Sequence, residues 1–553
     1  MTQPPEDSSA PESERFWRWF KIGLGVALFF LVLLWPYSGG LTPEAQRLLA
    51  VTVLMGTFWI SEPIPIAVTS LFPLALYPLL NILPANAVSR AYSDSTVYLF
   101  LGGFLLALAI ERWHLHRRIA LYVLKRLGSS PRQIVFGFML ATGILSMWIS
   151  NSAAAMMMVP IGLALMSTLK ESLSGEIASE EVERSIRQLT IPLLLGIAYS
   201  ASVGGIATYV GSPTNMVFRG FWGQQFVPQG YPDVTFAEWM LVFTPASFVM
   251  LFLCGIVMTW NLRPLPNSGL LTRDFFSKQL EELGTATAAE RRVGALFFIT
   301  ALLWIFREPL VVDQWKLVPG WTELVIKAGA LVGVDLSYLM KTVSDSTIAI
   351  AMATLLFVIP GNGPVGSRPR LLSWKEAERG IPWGMLLLFG GGFAMAEAFG
   401  TTKLSTWVGE NFSGWIEGQS QLGVTFMVCT LVTVLTEFTS NTATANMLMP
   451  ILAAVALQLH MDPRLLLIPA TVSSSCGFMM PVGTPPNAIV IASGKVPIKS
   501  MLAYGLVLNI IGIVCVALFT WFVGAAVMNI PLPGSPAPAG VTAPMASPAE
   551  STM

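Results

Sequence analysis

The sequence predicts an all-α polytopic membrane protein, with about eleven transmembrane helices and two re-entrant hairpins arranged as inverted repeats. Three observations carry that expectation. Hydrophobic residues make up 54% of the 553 residues and charged residues 12%, with a mean hydropathy of +0.65. A soluble chain could not hide so much apolar surface. Apolar segments long enough to cross ~30 Å of hydrocarbon recur along the sequence. Three short polar landmarks also appear twice, in the same order, in the two halves.

Residues 2–14 are polar and rich in Pro, Ser and Glu, so residues 1–16 read as a disordered cytoplasmic tail. The apolar run that follows is too long for a signal-peptide core and lacks a small-residue cleavage site, which makes it a first span. Spans are expected at 17–37, 44–61, 64–83, 95–111, 187–217, 236–261, 294–306, 345–360, 383–400, 464–493 and 501–528. Two further apolar stretches, 133–168 and 421–458, are interrupted midway by small polar residues and then resume, as a re-entrant hairpin does. The loop 263–293 carries Glu281, Glu282, Arg291 and Arg292 and reads as a solvated connector with a short surface helix. Residues 531–553 read as a second disordered tail.

Lysine and arginine set the orientation. Arg15, Arg18 and Lys21 precede the first span and place the N-terminus in the cytoplasm. The clusters Arg112 to Arg126, Arg263 to Arg292, Arg368 to Arg379 and Lys495/Lys499 join them if each hairpin enters and leaves on one face. The tail 531–553, without lysine or arginine, falls on the opposite side, and the expected location is the inner (cytoplasmic) membrane of the cell. A net charge of zero with no basic run argues against a nucleic-acid partner. Cys254, Cys429, Cys476 and Cys515 are scattered through apolar segments, neither a disulfide framework nor a metal site. No HExxH or GxSxG motif sits in a span, so nothing points to an enzyme.

The repeats are the most informative feature. Leu101-Gly102-Gly103-Phe104 recurs as Gly390-Gly391-Gly392-Phe393, an offset of 289 from 101 to 390. Ser150-Asn151-Ser152 recurs as Ser440-Asn441-Thr442, an offset of 290 from 150 to 440. Gly211-Ser212-Pro213-Thr214-Asn215 recurs as Gly483-Thr484-Pro485-Pro486-Asn487, an offset of 272 from 211 to 483. The drop reflects a longer polar loop in the first copy, around Lys170 to Arg187. With the first hairpin inside and the second outside, the two units are inverted, a plan common among secondary transporters.

Polar residues and broken backbone at membrane depth persist only when buried in protein or lining a wet cavity. Hairpin-tip carbonyls, hydroxyls and amide oxygens are hard neutral ligands, suited to Na⁺, while the amide ends of the following half-helices suit a carboxylate. Gly and Pro at 204–213 and 477–485 would unwind a helix and free further carbonyls. Ser146 and Thr436, each four residues before the motif serine, could add a hydroxyl. Small polar residues also pack helices together; the paired occurrence with downstream breaks favours a binding site. Glu437, which has Met147 in the equivalent place, could be a proton site, a structural salt-bridge partner or a backbone cap. Glu62 and Glu397 stand near span ends and read as structural.

These motifs resemble the divalent anion/sodium symporter family, which includes sodium–dicarboxylate and sodium–citrate cotransporters. Its two Ser-Asn-Thr signatures look like Ser150-Asn151-Ser152 and Ser440-Asn441-Thr442, and its early Trp-x-Thr-Glu-x-Ile-Pro pattern like Trp59-Ile60-Ser61-Glu62-Pro63-Ile64-Pro65. Thr436-Glu437-Phe438 and Thr484-Pro485-Pro486-Asn487 also fit, and the similarity spans about 17 to 528. The resemblance implies a membrane-embedded homodimer that moves small di- or tricarboxylates with Na⁺ as the coupling ion, by an elevator motion. The scaffold would comprise 17–126 and 294–418, and the moving part 127–262 and 419–530, joined by the cytoplasmic connector 263–293. One sodium falls to Ser146, Ser150, Asn151 and Gly205, the other to Thr436, Ser440, Asn441 and Gly477. Substrate contacts fall to Asn151, Ser152, Asn441, Thr442 and Pro481 or Val482. Ser152 departs from the signature's threonine, keeping the hydroxyl and removing a methyl from the pocket. Exchange of dicarboxylates, or carriage of sulfate or another inorganic anion, are the alternatives on the same fold.

Overall fold

The computed structural model describes residues 12–36, 40–126, 130–173, 179–262, 268–312, 315–363, 369–413 and 418–533. Residues 1–11 and 534–553 of the two expected tails lie outside these. The described chain is helical almost throughout. The exceptions are an antiparallel pair of short strands, Leu310–Val312 and Trp315–Val318, and an isolated bridge between Pro360 and Arg370.

Seven described helices are long and apolar enough to cross a membrane: residues 13–34, 85–112, 151–173, 182–205, 236–259, 383–401 and 498–527. Four further apolar stretches, 66–79, 345–358, 421–436 and 464–473, are shorter. The first helix runs Glu12–Leu34, so residues 12–16 are helical and not part of a tail. Glu14 in its first turn favours that start, because an acidic group complements the positive end of a helix. The expected span at 64–83 is two short helices, Ile66–Thr69 and Phe72–Leu79. Pro65, Pro73 and Pro78 remove three backbone donors within this stretch. A helix at Trp321–Leu331, which no span anticipated, lies between the strands and the helix Asp345–Val358.

Both interrupted stretches are helix–turn–helix hairpins. The first pairs Pro131–Ser146 with Asn151–Leu173, and the second pairs Gln421–Thr436 with Asn441–Gln458. Ser130 starts the first hairpin with a capping box to Gln133, and the Ser420 hydroxyl caps the second through Gly423 N. The stretches after the hairpins are broken as the repeated glycines and prolines predict. Ser179–Gly205 stops, seven residues run non-helically, and Pro213–Gln225 begins; likewise Arg464–Ser473 gives way to Pro485–Ala492. Ser179–Gly205 packs on both helices of the first hairpin, and Arg464–Ser473 packs on both helices of the second.

Between 263 and 293 the connector forms the helix Ser268–Leu283, which is docked and not merely solvated. Phe276 is fully buried beside Phe138 of the first hairpin, with ring centroids 6.0 Å apart. The Glu290 carboxylate pairs with the Arg118 guanidinium at 3.2 Å, both side chains buried, and Arg118 also donates to Gly284 O at 2.8 Å. Near the N-terminus, Lys21 donates to Ser61 O (2.9 Å) and Arg18 to Pro63 O (3.0 Å). These two cations neutralise carbonyls at the C-terminal end of the helix Pro43–Ser61. Glu62 ends that helix in the left-handed region (φ 46°).

Candidate functional site

A cavity of about 830 Å³ opens between the two hairpin tips. Ser150, Asn151 and Ser152 line it from one side, and Ser440, Asn441 and Thr442 from the other. Ser212 and Thr214 from the first broken stretch and Thr484 from the second add hydroxyls to its wall, beside Pro213, Pro485 and Pro486. Every one of these residues stands at the N-terminal end of a helix: Asn151–Leu173, Asn441–Gln458, Pro213–Gln225 or Pro485–Ala492. Each such end carries about +0.5 elementary charge, so four of them give the cavity about +2 without a cationic side chain at the tips. Phe104, Met156 and Phe438 supply apolar wall, and Lys21, Glu62 and Glu111 stand around the same space.

Behind each tip lies a knot of oxygens, and the two knots match residue for residue. Ser146, fully buried, has its Oγ 2.6 Å from Asn151 Oδ1 and 2.6 Å from Ala201 O. Thr436, also fully buried, has its Oγ1 2.6 Å from Asn441 Oδ1 and 2.7 Å from Ser474 O. A hydroxyl has one proton for two acceptors, so each knot is short of a positive partner. In the first, turning the Asn151 amide satisfies the shortage: its NH₂ then donates to Ser146 Oγ at 2.6 Å, Ala201 O at 3.1 Å and Gly211 O at 3.2 Å. With the amide oxygen turned inward instead, the donor set is oxygen only, the chemistry a hard monovalent cation requires. Among the described residues no group of His, Cys, Asp or Glu could hold a harder or softer metal.

The unwound stretches are stapled by equivalent asparagines. Asn215 Nδ2 donates to Gly205 O (3.0 Å) and Thr208 O (2.7 Å). Asn487 Nδ2 donates to Gly477 O (3.1 Å) and Met480 O (3.0 Å). The carbonyls of both glycines thus already accept one hydrogen bond. Gly205 must be glycine: a Cβ there would fall 2.5 Å from Asn151 Oδ1 and 2.9 Å from Gly211 O. Gly477 is less confined, its nearest neighbour being Thr436 Cγ2 at 3.4 Å.

The two halves differ in how the loop after the break is anchored. In the first, Thr208 Oγ1 donates to Met147 O at 2.5 Å and accepts from Gly211 N at 3.1 Å. In the second, Glu437 takes over. Its carboxylate accepts from the backbone amides of Phe478, Met479 and Met480, each at 2.9 Å, and from Asn509 Nδ2 at 2.7 Å. Of the roles left open for Glu437, the structure shows the capping one. Three consecutive amides pointing at one carboxylate form an anion nest.

Ser150, Asn151, Ser152, Ser440, Asn441, Thr442 and Val482 all line the cavity, whereas Ser146, Thr436, Gly205 and Gly477 stand behind it. Pro481 is not among the lining residues. Sequence reasoning missed three hydroxyls that tie the broken stretches together: Ser475 Oγ lies 3.2 Å from Ser212 Oγ and 2.9 Å from Thr214 Oγ1. The repeated Gly-Ser/Thr-Pro motif, which contains Ser212, was the available signal.

The comparisons with known proteins agree with this architecture. The family described as the sodium:sulfate symporter transmembrane region matches residues 16–530. The sodium-dependent dicarboxylate transporter SdcS of Staphylococcus saprophyticus is 38% identical over 519 residues, covering 92% of this chain and 93% of that protein. SdcS of Staphylococcus aureus (strain USA300) is 38% identical over 522 residues, covering 92% of each. The solved structure of MtrF from Neisseria gonorrhoeae, from a class of antimetabolite efflux pumps, has a TM-score of 0.50 at 12% identity, over 96% of this chain and 98% of that one. That likeness concerns the fold alone. On a match that runs through both hairpins and both broken helices, the chain belongs to the sodium:sulfate symporter transmembrane family.

Proposed function

We propose that this protein is a secondary active transporter that couples Na⁺ to the symport of small di- and tricarboxylates, with C4-dicarboxylates such as succinate, malate and fumarate foremost. The observation that carries it is the convergence of four helix N-termini on one cavity, two from each repeat, with a cation-suited oxygen knot behind each tip. Two separated amide cradles suit an anion with two charged ends better than a compact inorganic one. The relatives named sodium-dependent dicarboxylate transporters support the same reading.

Coupling follows from geometry. Asn151 and Asn441 each belong to both environments, lining the cavity and closing the knot behind it. A cation bound in the knot would fix the amide with its oxygen inward, which turns the NH₂ toward the cavity and its anion. Binding of each ligand then favours the other. Ser146, Ser150, Asn151 and Gly205 would hold one sodium, and Thr436, Ser440, Asn441 and Gly477 the second. Ser152, Thr442 and Val482 would face the acid.

Lys21, Ser61, Glu62, Glu111, Gly380 and Pro382, around the same cavity, stand at the ends that the charge distribution assigns to the cytoplasm. On that orientation the cavity faces inward, in the inner membrane. The homodimer and the elevator movement of 127–262 and 419–530 against the rest belong to the same proposal and rest on kinship. The test is uptake of labelled succinate, citrate and sulfate into proteoliposomes with and without a Na⁺ gradient. Succinate uptake that rises with inward Na⁺ is expected. Uptake indifferent to Na⁺, or seen only against an internal acid, would replace symport with exchange.

A further inference from the structure

A second cavity, of about 820 Å³, lies apart from the hairpin tips, at the far end of the first hairpin. Three separate segments bring charge to it. Lys170 comes from the last turns of Asn151–Leu173, Arg184 and Arg187 from the first turns of Ser179–Gly205, and Lys495 from the turn after Pro485–Ala492. One counter-charge lines the same space: Glu183, which pairs with Lys170 at 3.1 Å. Arg184, Arg187 and Lys495 make no ion pair among the described residues. Met166, Ile186 and Val496 give the groove an apolar floor.

Basic residues on a cytoplasmic loop are ordinary, and by themselves they say only which side they face. This group differs in two ways. It converges on a concave space, where like charges gathered from both repeats repel one another unless an anion joins them. Its first-copy members are also an addition to the repeated unit. The offset between copies falls from 290 at the hairpin tips to 272 at the broken helices because the first copy is longer here. At the corresponding place in the second copy, Asp462 and Arg464 pair at 2.6 Å and Arg464 donates to Met528 O at 2.8 Å. The second copy thus closes its loop with an internal ion pair, while the first leaves Arg184 and Arg187 facing a groove, where Lys495 of the second copy joins them. The tip chemistry common to both repeats does not use them.

We propose that this groove is a binding site for a phosphate-bearing anion, held by Arg184, Arg187 and Lys495. Guanidinium forks match phosphate oxygens bidentately. The apolar floor beside them suits a phospholipid, headgroup on the cations and glycerol region on Met166, Ile186 and Val496. A ligand seated there bridges the first hairpin's stem to the end of the second broken helix, whose other end, Pro485–Pro486, lines the transport cavity.

The test uses the full-length protein in detergent, with bound ligand read by native mass spectrometry and thermal shift. Phosphatidylglycerol and inorganic phosphate are titrated separately. The compared proteins are the wild type, the triple variant Arg184→Gln/Arg187→Gln/Lys495→Gln, and Lys499→Gln, which alters a cation outside the groove. Retention of phosphatidylglycerol that falls about tenfold or more in the triple variant and is unchanged in K499Q supports the site and a lipid source. The same dependence with inorganic phosphate, and none with the lipid, supports the site and a soluble source. Equal retention by wild type and triple variant, or none by either, overturns it. If the triple variant is unstable, Arg187→Gln alone, at an exposed position, serves with the same expected direction. None of these readouts requires transport, so they stand apart from the proposed carboxylate coupling.

Discussion

Asn509 Nδ2 lies 2.7 Å from Glu437 Oε1, which ties the long helix Ile498–Leu518 to the turn of the second hairpin. Through the same carboxylate the hairpin turn also holds the backbone amides of Phe478 to Met480. Three elements distant in sequence therefore meet on one side chain that is 3% exposed.

Removing that carboxylate leaves buried donors unpaired, at about 1–3 kcal/mol each. Glu437→Ala is expected to lower the thermal unfolding midpoint in detergent substantially, and Glu437→Gln to a lesser degree, since the amide keeps one acceptor oxygen. A wild-type midpoint for Glu437→Ala would contradict the anchoring role.

The oxygen knots are tested by removing one hydroxyl at a time. Thr436→Ala should raise the Na⁺ concentration needed for half-maximal uptake by about tenfold, roughly 1.4 kcal/mol, with Thr436→Ser restoring it. Ser146→Ala should act the same way on the other knot. Succinate uptake is the readout, and an unchanged Na⁺ dependence in both alanine variants would remove these residues from the ion path.

Ser152 and Thr442 are equivalent in the two tips and differ by a methyl. Ser152→Thr adds that methyl to the cavity wall. Discrimination between succinate and the bulkier citrate should shift by about tenfold in favour of succinate, the usual effect of one methyl in a binding pocket. Competition uptake measures it; an unchanged ratio would place Ser152 outside the acid's reach.

Asp345, also 3% exposed, has Oδ1 2.7 Å from Arg307 Nε and Oδ2 3.9 Å from Arg219 Nη2. Neither contact has the alignment of a hydrogen bond, so the attraction is ionic. Arg219 sits on Pro213–Gln225, which opens onto the transport cavity, and Asp345 on a helix of the proposed scaffold. Arg219 keeps Asp233 and Arg307 keeps Glu308 as counter-charges, so Asp345→Asn removes one of two partners from Arg307 and should destabilise the protein by about 1–3 kcal/mol. A double-mutant cycle of Arg307→Gln with Asp345→Asn should give a coupling of the same sign, the double variant losing less than the sum of the single ones. Strict additivity would show that the two do not interact.

How much of this was legible beforehand depended on the range of the contacts involved. The hairpins, their tips and the broken helices were readable because Ser-Asn-Ser/Thr and Gly-Ser/Thr-Pro are local patterns that recur. The role of Glu437 was not, because its partners lie 41 to 72 residues away. Neither was the docking of the connector, which depends on Phe276 meeting Phe138 across a still longer separation. The missed break at 64–83 was local and could have been read: three prolines in fourteen residues, from Pro65 to Pro78, do not make one span.

The four helix ends around the cavity have one more consequence. Their positive potential belongs to the main chain, so no single side-chain substitution can abolish it. A lineage could exchange the residues that shape the pocket while its pull on anions persisted. Relatives with one backbone could then differ in which anion they prefer, and a family name taken from one substrate would say little about the next member's diet.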